Sequence, residues 1–484
     1  MHIHIVAVSG TGMGALAGLL VELGHRVSGS DIAFDPPMGP ALESWGVRCL
    51  QGFDPEHLEP APDLTIIGNV CRRDNPEVLA AVQRGLRYTH IAGALAEFAL
   101  DACSPLVVAG THGKTTTSAM AAHLLEACGF APGFLIGGLP KNFPRSFRAA
   151  RADKTRSLLG DRPLRKAAFV IEGDEYDTAF FEKTAKFLHY RPEVAILTSI
   201  EHDHVDIYPD LESYLEAFRQ FVALVPEHGL IVANAADAEV VTVVDAHARA
   251  QVAWFALEGE DTHGKPPHWL AAPAQMDEAG TRFDLYAGGV ACGRLALTVP
   301  GRHNLKNALA AIGATAQGYG ARIADIGPAL ARFDGVRRRQ DLIGTPRESF
   351  VYDDFAHHPT AVQETLAALR GRHPSGKLFA VFEPRSATAC RRMHQDEYTR
   401  AFESADEVLL APLGRSNLPP EEALDLRQLA SDLNGRGKSA QALPSVDAIL
   451  DHLALNVIPG SVVVLLSNGA FGGIHAKLLE RLSR

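Results

Sequence analysis

The sequence is poor in the features that mark secreted and membrane proteins. Only six of its 484 residues are cysteine and none are spaced as Cys-x-x-Cys, which predicts isolated reduced thiols and no disulfide framework. No uninterrupted apolar run is long enough to span a bilayer. Residues 1–6 lack the basic and long apolar segments of a signal peptide. We therefore expect a cytoplasmic protein without membrane insertion.

An excess of positive charge is also absent. The formal net charge is −11, which argues against nonspecific binding of nucleic acid but not against an anionic substrate in a locally basic site. Hydrophobic residues make up 46% and charged residues 21%, as in globular proteins. A chain of 484 residues is too long for one compact core, so its length predicts about three domains.

The residues that are present follow a repeating pattern of strand, loop and helix. A short apolar strand runs into a glycine-rich or polar loop and then an amphipathic helix, as in parallel α/β sheets. Ligands bind beyond the carboxyl ends of such strands, so we expect the polar residues there to form a site, although any single one could be an ordinary turn residue. The predicted strands are residues 3–8, 27–31, 64–67, 106–109, 167–171, 194–197, 350–352, 378–382, 408–410 and 462–466.

Two further segments have specific predictions. Leu16, Leu19, Leu20 and Leu23 recur at helical spacing and predict one buried face, and Gly24 is expected to end that helix. Residues 259–273 contain glycine, proline and histidine and predict an excursion on the surface.

A loop between a predicted strand and a predicted helix has the composition of a phosphate-binding loop. Glycine lets the backbone approach a phosphate closely, and the N–H groups at a helix start attract anions. Lys114 can reach the phosphates, and Thr115 can bind Mg²⁺. Val108 stands where a full Walker A sequence has its first glycine, so a plain turn is the alternative. The expected nucleotide contacts here are Gly110, Thr111, His112, Gly113, Lys114, Thr115 and Thr116.

Acidic and imidazole groups follow two predicted strands. Residues 171–177 contain four acids in seven positions, and residues 201–206 read Glu-His-Asp-His-Val-Asp. Mg²⁺ prefers oxygen ligands, and Glu172 is the best single candidate because it follows a buried strand directly. The alternative is a solvated acidic loop. The His-Asp-His spacing fits no standard structural zinc site.

The N-terminal glycines resemble a dinucleotide fingerprint that is one residue short. Gly10, Gly12 and Gly14, with Asp31 further on, are weak evidence for NAD, and the same geometry would serve any diphosphate, including a nucleotide sugar. An NAD-dependent oxidoreductase would leave the Lys114 loop unexplained. A non-catalytic nucleotide-binding regulator is a third possibility.

Taken together, four motifs resemble the signatures of the Mur ligase family, in the family's order. They are Gly-Thr-His-Gly-Lys-Thr-Thr-Thr at 110–117, Asp-His at 203–204, Gly-Arg-His-Asn-Leu-Lys-Asn-Ala at 301–308 and Asp-Asp-Phe-Ala-His-His-Pro-Thr at 353–360. The resemblance covers essentially the whole chain. It implies an α/β fold of three domains: a Rossmann-like UDP-sugar-binding domain (1–104), a central P-loop ATPase domain (105–337) and a Rossmann-like peptide-binding domain (338–484).

The resemblance also implies an ATP-dependent ligase that forms an amide bond in peptidoglycan metabolism, with ATP and Mg²⁺ as cofactors. Segments such as 383–386 and 467–475 resemble the branch that joins the tripeptide L-Ala-γ-D-Glu-meso-diaminopimelate to UDP-N-acetylmuramate in peptidoglycan recycling. The alternative is the branch that adds L-alanine to the same UDP-sugar. We expect a monomer or weak homodimer that binds these small molecules and no nucleic acid.

The family's functional residues transfer to this sequence position by position. The resemblance makes Lys114, His204 and Glu172 catalytic, with Thr115, Glu172 and His204 as metal ligands. The expected nucleotide contacts outside the loop are Asn304, Asn307, Arg339 and Asp353. The expected contacts to the UDP-sugar are Gly10, Thr11, Gly12, Met13, Asp31 and Asn69. The expected contacts to the peptide are Arg385, Ser386, His357 and Asn468.

Three positions depart from the family pattern. Ser199 stands where the family has asparagine, so no role is assigned to it. Phe218 stands where many members have a carbamylated lysine that binds metal, so the second metal must be held without it. Ala387 stands where the recycling branch usually has asparagine, and Arg385 nearby has a structural ion pair as its alternative role.

Overall fold

The computed structural model describes residues 1–151, 158–159, 162–163, 166–277, 280–415 and 418–483. The chain forms three main sheets in succession, of five, ten and six strands. Parallel strands joined by helices dominate each sheet, as the predicted pattern of strand, loop and helix requires.

The N-terminal sheet is entirely parallel, in the order β3-β2-β1-β4-β5. Leu16, Leu19 and Leu20 are buried as predicted, but Leu23 is 36% exposed because the helix ends at the preceding residue; Gly24 follows with φ +88°. The elements are β1 (His2–Val6), α1 (Thr11–Glu22), β2 (Arg26–Asp31), α2 (Met38–Ser44), β3 (Arg48–Gln51), β4 (Leu64–Ile67), α3 (Pro76–Gln83), β5 (Tyr88–His90) and α4 (Ile91–Leu95).

The central sheet has the order β19-β18-β17-β16-β15-β14-β6-β11-β7-β8. Helices α5 and α8 pack together on it. The elements are β6 (Ser104–Ala109), α5 (Lys114–Ala127), β7 (Gly133–Leu135), β8 (Phe147–Arg148), β9 (Leu158–Leu159), β10 (Arg162–Pro163), β11 (Ala168–Gly173), β12 (Asp177–Ala179), β13 (Glu182–Ala185), β14 (Val194–Leu197), α6 (Leu211–Leu224), β15 (Leu230–Asn234), α7 (Ala238–His247), β16 (Gln251–Leu257), β17 (Trp269–Asp277), β18 (Gly280–Ala287), β19 (Val290–Leu297), α8 (Arg302–Gly313) and α9 (Ile323–Leu330).

The predicted surface excursion at residues 259–273 is wrong for its last five residues, 269–273. Residues 258–268 form no regular structure, but β17 begins at Trp269, where the side chain is 4% exposed. This strand pairs with β16 in parallel and with β18 in antiparallel orientation. Burial of Trp269 and Ala271 against the helices outweighs the loop-like composition before them.

The C-terminal sheet has the order β20-β21-β25-β22-β23-β24, with only β20 antiparallel to its neighbour. The elements are β20 (Asp341–Gly344), β21 (Phe350–Asp354), α10 (Pro359–Arg372), β22 (Leu378–Phe382), α11 (Gln395–Ala401), β23 (Glu407–Leu410), α12 (Leu426–Gly435), β24 (Ser439–Ala442), α13 (Val446–Asn456), β25 (Val462–Leu466) and α14 (Ile474–Ser483).

The structure bears on the expectations about cysteine pairing and membrane-spanning segments. All six cysteines are free thiols, as expected. Within the described ranges, no helix combines the length and apolar character that crossing a membrane requires.

Candidate active site between the central and C-terminal units

The phosphate-loop sequence lies at the carboxyl end of β6, the strand between β14 and β11. Ala109 pairs with Leu197 on one side and Gly173 on the other, so the segments after all three strands meet at one sheet edge. Gly113 has φ +81°, and a Cβ there would lie 2.4 Å from Oδ1 of Asn307. Helix α5 starts at the next residue, so its free N–H groups face this edge.

Lys114 is held across this loop by an acidic partner. Its Nζ donates to the carbonyl of Gly110 at 2.6 Å and to Oε2 of Glu175 at 2.8 Å. Burial alone would lower the pKa of Lys114, but Glu175 and Asp174 outweigh burial and raise it. Burial in turn opposes ionisation of Glu175, yet Lys114 and His204 lower its pKa to about 2. A charged ammonium is therefore fixed where the loop would meet phosphate.

Thr115 and Glu172 form a pair of oxygen donors beside this ammonium. The Thr115 hydroxyl donates to Oε2 of Glu172 at 3.0 Å, and the backbone N–H of Gly137 donates to the other carboxylate oxygen at 2.6 Å. Burial and nearby Asp174 raise the pKa of Glu172. Burial is the larger of these two causes, so the Glu172 carboxylate lies in a desolvated site with the Thr115 hydroxyl as its neighbour.

His204 joins the same network from the segment after β14. It has φ +52°, and its Nε2 lies 3.3 Å from Oε1 of Glu175. Burial by itself would lower the pKa of His204, but Glu175 and Asp203 raise it. In the described part of the chain, its polar side-chain contact is with Glu175 rather than with Thr115 or Glu172. Lys114 and His204 therefore meet through Glu175, whereas Thr115 pairs with Glu172.

A cavity of about 350 Å³ opens beside the loop, between the central and C-terminal units. Asn307 donates to Oδ1 of Asn304 at 3.3 Å, and Arg339 donates to the Thr115 hydroxyl at 3.4 Å across the two units. The predicted nucleotide residues that line the cavity are His112, Gly113, Thr115, Thr116, Asn304, Asn307 and Arg339. Gly110 and Thr111 in the loop, and Lys114 at the start of α5, lie outside this lining.

Asp353, a predicted nucleotide contact, does not line the cavity and pairs with other side chains. It accepts from Nε of Arg338 at 3.2 Å, and it lies 3.1 Å from Nε2 of His475. The next residue, Asp354, lines the cavity and accepts the backbone N–H groups of Gln340 and Ala356, each at 2.7 Å. Strand alternation puts neighbouring side chains on opposite faces, which separates the two aspartates.

Several residues that line the cavity have no role predicted from the sequence. Ser199, left without a role, accepts the backbone N–H of His112 at 3.2 Å and lines the cavity. Thr198 donates to the carbonyl of His112 at 2.5 Å. Both follow the predicted strand 194–197 directly, so the rule of strand ends could have identified them. Glu175 lay within the acidic segment, but its pairing with Lys114 needed the fold.

The predicted UDP-sugar residues lie around the N-terminus of α1. Gly10 caps the helix and is exposed together with Thr11, whereas Met13 is 8% exposed and packs inward. Oδ2 of Asp31 accepts the backbone N–H of Ser9 at 2.8 Å, so this carboxylate shapes the loop itself. The arrangement leaves the helix N-terminus open to an anion.

Two further contacts complete the N-terminal region. Gly12 would place a Cβ 3.6 Å from Ile91, so a small residue is not essential there, whereas a Cβ on Gly14 would lie 2.4 Å from Sδ of Met38. Asn69 is exposed after β4, and its amide donates to Asp177 of the central unit at 3.3 Å. Asn69 therefore links the N-terminal loops to the central unit.

The predicted peptide residues are distributed around the carboxyl edge of the C-terminal sheet. Phe382 pairs with Leu466, so Arg385 and Asn468 follow two neighbouring strands. Arg385 is 45% exposed and lies 3.7 Å from Glu383, and Oδ1 of Asn468 is buried without a hydrogen-bond partner among the described residues. An exposed guanidinium beside an unsatisfied amide oxygen suits a polar ligand.

Ser386 and His357 have local partners. The hydroxyl of Ser386 accepts the backbone N–H of Ala389 at 2.9 Å, and the backbone carbonyl of His357 accepts from the Tyr398 hydroxyl at 2.6 Å. Burial lowers the pKa of His357, partly against the effect of Asp203. Its ring is thus neutral near pH 7.

Phe218 is a core residue of α6. It is fully buried, with ring centroids 5.5 Å from Phe187 and 5.2 Å from Tyr214. The departure from lysine is therefore accommodated by aromatic packing on this face of the helix.

Comparison with known proteins agrees with this architecture. Residues 2–102 match the family model described as Mur ligase family, catalytic domain; 108–315 match the Mur ligase middle domain; and 338–469 match the Mur ligase, glutamate ligase domain. The UDP-N-acetylmuramate–L-alanyl-γ-D-glutamyl-meso-2,6-diaminoheptandioate ligase of Escherichia coli (strain K12) is 39% identical, covering 100% of this chain and 99% of that protein. The UDP-N-acetylmuramate–L-alanine ligase of Roseiflexus sp. (strain RS-1) is 34% identical, covering 97% and 96%.

A solved structure is also similar over the full length. The murein peptide ligase of Psychrobacter arcticus 273-4 is 34% identical and has a TM-score of 0.73. The match covers 100% of this chain and 99% of that one. The chain belongs to the Mur ligase family, the ATP-dependent ligases that form amide bonds. The family and the three-domain α/β fold expected from the sequence motifs are confirmed.

Proposed function

We propose that this protein joins the tripeptide L-Ala-γ-D-Glu-meso-diaminopimelate to UDP-N-acetylmuramate, with conversion of ATP to ADP and phosphate, in peptidoglycan recycling. The observation that carries the choice of tripeptide is the 39% identity to a ligase named for that peptide, against 34% to an L-alanine ligase. L-Alanine is the alternative amine. In this proposal the UDP-sugar, nucleotide and peptide domains span 1–104, 105–337 and 338–484.

ATP would occupy the cavity between the central and C-terminal units. Asn304 and Asn307 would lie at the adenine, and the loop that ends in Lys114 would surround the phosphates. Lys114 already carries its positive charge, so an incoming phosphate would share or replace Glu175 as its partner. Arg339 would close over the nucleotide from the other unit.

Mg²⁺ fits the donor set beside the loop. Thr115 and Glu172 would hold one ion, and His204 would serve a second. Bound Mg²⁺ would neutralise the charge of the transferring phosphoryl group. Phe218 lies in the core, so the second ion would depend on groups such as His204 and Glu175.

The reaction would begin with transfer of the γ-phosphoryl group to the lactyl carboxylate of UDP-N-acetylmuramate. The carboxylate needs this activation because its own oxide is a poor leaving group. The free amine of the tripeptide would then attack the acyl phosphate, give a tetrahedral oxyanion and release phosphate as the amine loses its proton. The protein would contribute positioning and charge neutralisation.

The two other substrates would bind at the N-terminal and C-terminal units, each of which contacts the central unit. The diphosphate of the UDP-sugar would bind at the N-terminus of α1, with Gly10, Thr11, Asp31 and Asn69 around it. The peptide would bind at the carboxyl edge of the C-terminal sheet. Its contacts would be Arg385, Ser386, His357 and Asn468.

Phosphate release from ATP and Mg²⁺ in the presence of UDP-N-acetylmuramate tests this proposal. L-Alanine and the tripeptide are compared as the amine, and the product is identified by mass. Release with the tripeptide alone is the expected result. Release with L-alanine alone would assign the protein to the alternative reaction, and release with neither would overturn both.

A further inference from the structure

Two histidines, one from the central unit and one from the C-terminal unit, approach the same carboxylate oxygen of Glu201. None of these three residues is among the expected magnesium ligands. Nε2 of His112 lies 2.9 Å from Oε2 of Glu201, and Nδ1 of His358 lies 3.4 Å from the same oxygen. One ligand atom from each of the three side chains lies within 4.8 Å of the other two. His112 belongs to the phosphate loop, Glu201 follows β14, and His358 precedes α10 in the C-terminal unit.

The Nδ1 atom of His358 is available to bind a metal ion. Its side chain is 9% exposed, and Nδ1 has no hydrogen-bond partner in the described ranges. Burial and the neighbouring His112 lower the pKa of His358, so its ring is neutral near pH 7. Glu201 remains ionised, because His112 and Thr360 lower its pKa against the effect of burial. Neutral imidazole and carboxylate are the forms in which these groups bind metals.

The surroundings of Glu201 support a built site. The Thr360 hydroxyl donates to Oε2 at 2.7 Å and so orients the carboxylate, as outer partners of metal ligands do. Glu201 and Thr360 line both the nucleotide cavity and a second cavity, which His358 also lines. An ion can therefore reach this wall from the second cavity when nucleotide occupies the first.

We propose that His112, Glu201 and His358 bind a transition-metal cation of the Zn²⁺ class through Nε2, Oε2 and Nδ1. Two imidazoles and one carboxylate are a donor set that Zn²⁺ accepts, with water in the fourth position. In the metal-bound form the ring proton of His112 lies on Nδ1, which leaves the lone pair of Nε2, 2.9 Å from Oε2 of Glu201, free to bind the ion. It links the central unit to the C-terminal unit, because the three ligands come from both.

A second cluster of the same composition is a natural control. His90, Glu182 and His189 also place one ligand atom each within 4.8 Å of one another. There, Nδ1 of His90 accepts the backbone N–H of Gly93 at 3.2 Å, so the ring proton is on Nε2, which points at Glu182. Metal binding at that Nε2 would require an imidazolate, so we expect this cluster to bind Zn²⁺ poorly.

Titration of the full chain with Zn²⁺ alone, without nucleotide and in excess Mg²⁺ to occupy hard-oxygen sites, tests the proposal. We expect saturable binding of one ion per chain and a rise in Tm with Zn²⁺. His112→Gln and His358→Gln should each weaken binding at least about ten-fold and remove the rise in Tm. His189→Gln should change neither. Visible absorption of bound Co²⁺ reports imidazole ligation independently of ligase activity.

The outcomes separate the possibilities. Absence of saturable binding, or unchanged affinity in both His112→Gln and His358→Gln, overturns the site. Loss of affinity in His189→Gln instead places the metal at the second cluster and also overturns it. Circular dichroism without metal identifies a variant that does not fold, and His112, 22% exposed on a loop, then carries the test. None of these results depends on which amine the ligase uses.

Discussion

Lys114 is the residue on which the proposed chemistry depends most. Its ammonium, at the start of α5, is fixed by the Gly110 carbonyl and the Glu175 carboxylate. The pKa of Lys114 is raised and that of Glu175 is lowered, so both side chains of this pair are charged. A fixed charge at a helix N-terminus can stabilise phosphate without being reorganised during reaction.

Replacement Lys114→Ala should abolish ATP-dependent phosphate release while the fold is retained. The reason is loss of the positive charge that would meet the transferring phosphoryl group. Phosphate release and circular dichroism are measured together, with Lys438→Ala as the control, since Lys438 donates to the carbonyl of Glu403 and neither residue lines the cavity. Near-normal turnover in Lys114→Ala would contradict the assignment.

The sequence identified the residue types at this site better than their partners. Lys114, Thr115 and Glu172 follow from the loop motif and the strand ends. The pairing of Lys114 with Glu175 did not follow, because sequence spacing does not tell which of four neighbouring acids turns toward the loop. For the same reason the sequence did not show that Asp354, rather than Asp353, lines the cavity. A shift of one residue along the strand decides which of the two side chains reaches it.

At the scale of elements, helix α6 shows how a departure at one position is absorbed by packing. Phe218 lies fully buried on the same helix as Tyr214 and Phe221, and its ring meets Phe187 from the short 3₁₀ turn at Lys186–His189. The ring of Tyr214 on this helix lies 5.9 Å from that of His202, in the segment that carries His204, so packing of the helix supports the edge proposed to bind Mg²⁺.

Phe218→Ala should lower the free energy of unfolding by about 3–5 kcal/mol, the usual cost of removing a buried aromatic ring. Denaturant unfolding monitored by circular dichroism measures it. The matched control is Phe53→Ala, at a ring only partly buried, where a smaller loss is expected. Equal losses for both variants would show that Phe218 is not a core residue of this helix.

The ten strands predicted from the sequence all correspond to strands of the structure, but other strands, such as β15 and β16, were not predicted. Strands 64–67, 194–197, 378–382 and 462–466 agree with the structure residue by residue. The antiparallel strands β17 to β19 were missed because glycine, proline and histidine precede the first of them. Trp269 becomes a strand residue only through burial against α8, which no local pattern reports.

At the scale of the whole molecule, the central and C-terminal units are joined by a contact between buried groups. The hydroxyl of Thr388 donates to Oδ1 of Asp203 at 2.6 Å, and both side chains are buried. Burial opposes ionisation of Asp203, but His204 and His357 hold its pKa well below the ordinary value. The contact ties the segment that carries His204 to the proposed peptide-binding unit.

Thr388→Val should reduce kcat/KM for the amine by roughly 10- to 100-fold, because a buried hydrogen bond to a charge contributes about 1.5–3 kcal/mol. The loss should exceed any change in ATP binding, since Thr388 lies outside the lining of the cavity proposed to bind ATP. Steady-state phosphate release at varied amine concentration measures it. Thr399→Val, which removes a bond within α11, is the control and should have little effect. Equal effects would mean that the contact between units does not matter to catalysis.

The sequence by itself determined the α/β class, the phosphate loop, the family and most of the residue types at the site. These depend on local order along the chain: apolar periodicity, glycine at turns and polar residues after strands. Only the tertiary structure decided which acid pairs with Lys114, which aspartate reaches the cavity, and that His112, Glu201 and His358 meet. These contacts join residues far apart in sequence, and packing between separate units sets the distances on which hydrogen bonding and metal binding depend.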